Sequence, residues 1–85
     1  MNTRHSAVKL ASELQVGDVV DITTLGCYYG SQLRYYKIKA VSRGVSRPDT
    51  MCFMIKRLRA NGEEDEEYLT RSTSTHENDR VRLPR

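Results

Sequence analysis

Met51-Cys52-Phe53-Met54-Ile55-Lys56-Arg57-Leu58-Arg59-Ala60-Asn61-Gly62-Glu63-Glu64-Asp65-Glu66-Glu67-Tyr68-Leu69-Thr70 is the stretch that decides the fold. Asn61-Gly62 is the dipeptide preferred in a type I′ hairpin turn, where both central residues need φ > 0. A two-residue turn puts Arg59 opposite Glu64, Arg57 opposite Glu66 and Lys56 opposite Glu67. Ile55 then faces Tyr68, and Met54 faces Leu69. Each such cross-strand pair contributes roughly 0.2–1 kcal/mol, and a slip by one residue would turn every side chain to the other face. The pattern predicts one hairpin over 51–59 and 64–70. The apolar run 51–55 reads as a central, two-sided strand whose inward face the period does not assign.

Working upstream, residues 33–42 alternate with period two. Tyr36, Ile38 and Ala40 share one face, read as core, and Tyr35, Lys37 and Lys39 share the other, read as solvent. Between these two strands, 43–49 is turn chemistry with Arg43 and Arg47. Residues 24–32 form a loop bracketed by Gly26 and Gly30 and carrying Tyr28-Tyr29. Before it, Gly17-Asp18 is a turn signal and Val19 to Thr23 a β-branched strand. Val8, Leu10 and Leu14 are apolar positions ahead of that strand, with a short helical turn or loop at 12–14. Residues 1–7 read as a disordered polar tail and 8–85 as one small β domain. Downstream, the polar 71–78 reads as a loop. Residues 79–83 alternate again, with Val81 and Leu83 inward, until Pro84 ends the strand.

The chain has 85 residues, enough for one domain. A domain of this size buries only about 60% of its unfolded surface, so its core is thin and a deep substrate pocket is hard to build. Apolar content of 38% with 29% charged residues is globular composition rather than that of a disordered chain. The net charge of +3 is uneven: residues 1–59 carry ten Lys/Arg against four acids, and 60–85 carry four Arg against seven. With no export signal and no apolar span, the expectation is a soluble cytoplasmic protein with free Cys27 and Cys52.

Leu14-Gln15-Val16-Gly17-Asp18-Val19-Val20 resembles the way into the first strand of Src-homology-3-like small barrels, the Tudor, Sm and KOW group included. A long loop, two longer strands, a tight hairpin and a short last strand follow in the same order. The resemblance implies an all-β, five-stranded, strongly bent barrel. An oligonucleotide-binding-fold-like barrel is the runner-up, though it usually carries a helix between two strands.

No catalytic constellation stands out. There is no phosphate-binding glycine loop, no dinucleotide fingerprint and no H-E-x-x-H. Cys27, Cys52, His5 and His76 lack the spacing of a zinc module, so neither metal nor cofactor is expected. The candidate ligand-binding set is Tyr28, Tyr29, Arg34, Tyr35, Lys37, Lys39, Arg43 and Arg47. Cations at these positions can neutralise phosphates, and exposed rings can stack on bases. Lys56, Arg57 and Arg59 are set aside as the hairpin partners of acids. The expected function is that of a non-enzymatic module, most simply one that binds nucleic acid. A protein-interaction adaptor or inhibitor, of the kind common among phage and mobile-element accessory proteins, is the alternative, acting through the Tyr28-Tyr29 loop or a strand edge. A homo-oligomer that closes a strand edge is a third reading.

Overall fold

The structure, a computed structural model, describes residues 7–22 and 35–83. Six strands run through them: β1 (Ala7–Leu10), β2 (Val19–Asp21), β3 (Tyr35–Arg43), β4 (Thr50–Arg57), β5 (Arg71–His76) and β6 (Arg80–Leu83). The protein is all-β, with no α-helix among the described residues and a 3-10 turn at Ala11–Glu13. Strands β2-β3-β4-β5 form an antiparallel meander that curls into a half-barrel, and β1 pairs with β6 in a second antiparallel ladder. Six described strands replace the five expected, because the apolar positions at 8 and 10 belong to a strand of their own.

Phe53, Ile55 and Met51 point inward from β4 and pack with Val20, Ile22, Tyr36, Ile38, Ala11, Leu14 and Val81. Cys52 and Met54 turn to the other face, where both stay partly open to solvent. The apolar run is therefore one-sided, and β4 is central only in the sense of being flanked by β3 and β5. Val81 is fully buried and Leu83 packs against the core, as the alternation of 79–83 predicts.

The register of β3 explains one failed expectation. Ile38 faces Ile55, but Ala40 faces Met54, so Lys39 is an extra residue in a β-bulge. A bulge shifts the inward parity by one. Ala40 is consequently exposed, and Val41, opposite Phe53, takes the inward position next to the core. The bulge sits where the Gly17 amide donates to the Ile38 carbonyl at 2.8 Å and the Ile38 amide donates to the Asp18 carbonyl at 2.8 Å.

The hairpin after β4 also departs from expectation. Asn61 does not have positive φ; Gly62 does, at 91°. The Gly62 amide donates to the Arg59 carbonyl at 2.9 Å and the Arg59 amide to the Glu63 carbonyl at 2.7 Å. That is a three-residue loop, a type I turn closed by a left-handed glycine. Its register places Leu58 opposite Glu64, one step from the expected pairing. The ladder then breaks and resumes with Ile55 opposite Arg71. The true partner of β4 is thus 71–76, the segment expected to be a loop. Only Thr73 of β5 is buried, opposite Phe53. A strand that adds one hydroxyl-bearing residue to the core leaves no apolar alternation to read.

The ends of the half-barrel are tied by backbone. The Ala11 amide donates to the Asp79 carbonyl at 2.8 Å and the Ser12 amide to the Glu77 carbonyl at 3.0 Å, so the 3-10 turn straps across the β5–β6 turn. The Glu77 amide donates in turn to Asp49 at 2.8 Å, joining that turn to the one between β3 and β4.

Candidate nucleic-acid interface

β3 is the spine of the candidate interface. At about 3.3 Å per residue its nine residues extend roughly 30 Å. Tyr35 and Lys37 stand on its outer face at one end, Lys39 at the bulge, Arg43 at the other end and Arg47 in the following turn. Tyr28, Tyr29 and Arg34 lie outside the described residues, as does Cys27.

The two β3 lysines are drawn together by a residue from the hairpin tip. Lys39 donates to the Glu64 carboxylate at 2.8 Å, and the Lys37 ammonium lies 3.8 Å from the same oxygen. Both lysine side chains remain about 40% exposed. Lys56 stands beside them, opposite Lys37 in the ladder, and its ammonium donates to the Tyr68 carbonyl. Two ammonium groups thus share one carboxylate, with the charge of Lys56 behind them. The hydrogen bond from Lys39, with the charges of Lys39, Lys37 and Lys56 behind it, holds the Glu64 carboxyl below its ordinary value of 4.5. Glu64 is the residue that the expected register had placed opposite Arg59. The one-step shift hands it to the lysine face instead.

The same shift frees Arg57. It opposes Tyr36, and its guanidinium stacks over the Tyr68 ring at 4.1 Å from the centroid. No acidic side chain pairs with it among the described residues, and its Nε is buried with no hydrogen-bond partner. Arg59 keeps a weak acidic neighbour, Asp65, at 3.8 Å. Setting aside Lys56, Arg57 and Arg59 as partners of Glu67, Glu66 and Glu64 is therefore overturned by the observed ladder. The missed signal was a tyrosine four residues after Glu64 in a loop long enough to fold back.

At the far end of β3, Arg43 donates to the Pro48 carbonyl at 2.7 Å and to Glu77 at 2.6 Å. Its guanidinium is paired with a carboxylate, while the side chain stays 48% exposed. Arg47 is exposed and lines an open depression between the β3–β4 turn and the end of β5, together with Asp49, Ser74 and His76. His76 accepts the Asn78 amide at Nδ1, 3.1 Å away, while its Nε2 lies 3.5 Å from Asp49. Both ring nitrogens are engaged, so neither is presented to a nearby hydroxyl as a general base. Cys52 is a free thiol on the outer face of β4, and no cluster of three metal-ligating side chains occurs among the described residues. No helix of the described residues is long and apolar enough to cross a membrane.

Compared with known proteins, the chain matches no family model, no curated protein and no solved structure.

Proposed function

We propose that the chain is a non-enzymatic module that binds single-stranded nucleic acid along the outer face of β3, within a small Src-homology-3-like barrel. The observation that carries this reading is the sharing of the single Glu64 carboxylate by Lys37 and Lys39, with the charge of Lys56 close behind. The surface keeps an excess of positive charge after its internal pairing, and two of its ammonium groups stay open to solvent. A phosphate backbone is the anion such a row fits, because neutralising phosphates releases condensed counterions. Tyr35 at one end can stack on a base, and Arg47 at the other extends the cationic track. The barrel type is supported by the placement of β6 alongside β2, which orders the strands β1-β6-β2-β3-β4-β5 around the curl.

The test is a titration of labelled single strands by fluorescence anisotropy, comparing the natural protein with Lys37→Gln/Lys39→Gln. The account predicts weaker binding and a salt slope smaller by about 1.4, roughly 0.7 per lost phosphate contact. Equal affinity and slope would remove this face from the interface.

A protein partner is the second reading, favoured by one feature. Among the described residues β5 is the edge of the four-stranded sheet, and a sheet edge can take an added strand. That reading predicts binding insensitive to the two lysine substitutions and lost when proline replaces Ser74.

A further inference from the structure

The loop after the hairpin bridge is held in place more firmly than its acidic sequence suggests. Asp65 is buried, and its carboxylate accepts the Glu67 amide at 3.1 Å. Its backbone carbonyl accepts the Tyr68 amide at 3.2 Å, and the Lys56 ammonium donates to the Tyr68 carbonyl. These bonds fix Tyr68 and Leu69 outward from the protein, 46% and 87% exposed. The result is a cleft of about 320 Å³ lined by Tyr36, Arg57, Glu67, Tyr68, Leu69 and Arg71. Arg57 covers part of the Tyr68 ring, and the Arg71 Nη1 reaches the Tyr36 hydroxyl at 3.5 Å.

We propose that this cleft is a stacking subsite for one base of a bound single strand, an inference that rests on the nucleic-acid reading above. Four properties point to a base. The Arg57–Tyr68 pair is a preformed planar stack, and a third flat group extends it without ordering either side chain. Arg57 lines the cleft, and its guanidinium N–H groups can donate to a carbonyl or ring nitrogen of a base. The volume lies at the lower end of small-ligand sites, the scale of one nucleotide. Tyr36, Tyr68 and Leu69 give the cleft an apolar lining that suits a flat ring better than a hydrated phosphate. The cleft opens around the end of β4 from the lysine face, and Lys56 links the two. A strand whose phosphates lie on Lys37 and Lys39 can therefore turn one base over the rim.

The experiment is an anisotropy titration of single-stranded DNA and RNA of about twelve nucleotides, within the usual site size of small barrels, against the full chain and its Tyr68→Ala and Tyr68→Phe variants. Tyr68 is exposed, so the fold should survive, and circular dichroism checks it. Tyr68→Ala should weaken binding about tenfold, the order expected for one lost base stack. Its salt slope should stay unchanged, because no phosphate contact is removed, and Tyr68→Phe should bind as the natural protein does. A 2-aminopurine base in the strand should be quenched on binding, and this quenching should be lost with Tyr68→Ala. If Tyr68→Ala binds normally while Lys37→Gln/Lys39→Gln does not, the subsite is wrong and the nucleic-acid reading stands. If the natural protein binds no strand at all, both fall.

Discussion

Glu64 shows how much a single carboxylate can decide. It sits at the tip of a hairpin, yet it is bound to lysines from β3, and those lysines hold its pKa down. A carboxyl whose folded pKa is lowered contributes stability that is fully present above its unfolded pKa and is lost as pH falls through the folded value. Acid unfolding should therefore steepen below about pH 4.5, and Glu64→Gln should flatten that part of the profile, as read by urea midpoints at stepped pH. The same substitution should strengthen nucleic-acid binding at neutral pH, because it leaves Lys37 and Lys39 without their internal anion. Gly62 governs the hairpin in another way. A Cβ there meets nothing within 4 Å, so only its φ of 91° resists substitution. Gly62→Ala should cost about 1–2 kcal/mol and lower Tm by roughly 5–15 °C for a domain of this size. An unchanged Tm would show that the left-handed turn is not kept in solution. Gly44 is constrained by space, since a Cβ there would lie 2.8 Å from the Arg47 carbonyl.

The bulge at Lys39 is what separates this β3 from a regular strand. It turns Val41 toward Phe53 and leaves Ala40 in solvent. Lys39→Ala keeps the residue count and removes one exposed ion pair, a change of less than about 1 kcal/mol. Deleting Lys39 takes out the extra residue and leaves Ile38 opposite Ile55, Ala40 opposite Met54 and Val41 opposite Phe53 in a regular ladder, so the variant should keep a cooperative urea transition. A deletion variant that lost its cooperative transition would refute the bulge, because in a regular strand every later side chain would change face. Elements with strong local patterns were legible in the sequence: β2, the first half of β3, β4 and the alternation of β6. Where pairing partners decided the outcome, the sequence was silent. Asn61-Gly62 marked the right turn, but its length depended on Asn61 keeping negative φ. β5 was hidden because backbone pairing to β4, rather than burial, makes Arg71–His76 a strand. The candidate site was legible in the same uneven way. Tyr35, Lys37 and Lys39 could be placed on one face from their period. Arg57 and Tyr68 come together only because the loop at 65–70 folds back, which no local pattern encodes.

For the whole molecule, a thin core and a one-sided sheet have consequences. An 85-residue domain has a stability of about 4–13 kcal/mol. Phe53 lies at its centre, touching the meander from β3 to β5, and Phe53→Ala should cost about 3–5 kcal/mol. Its urea midpoint should fall accordingly, and a loss of less than about 1 kcal/mol would place the core elsewhere. The one-sided sheet also leaves the outer face of β3 and β4 free to carry charge, with the core packed on the other side and the hairpin supplying one counter-charge. Function in this account follows from that division of faces. The most direct test is the dependence of single-strand affinity on salt, measured by fluorescence anisotropy between about 50 and 200 mM. The account predicts saturable binding whose log affinity falls linearly against log salt, with a slope of about −2 or steeper, from roughly 0.7 for each of at least three phosphate contacts. Binding absent at 50 mM, or present with a flat slope, would contradict it.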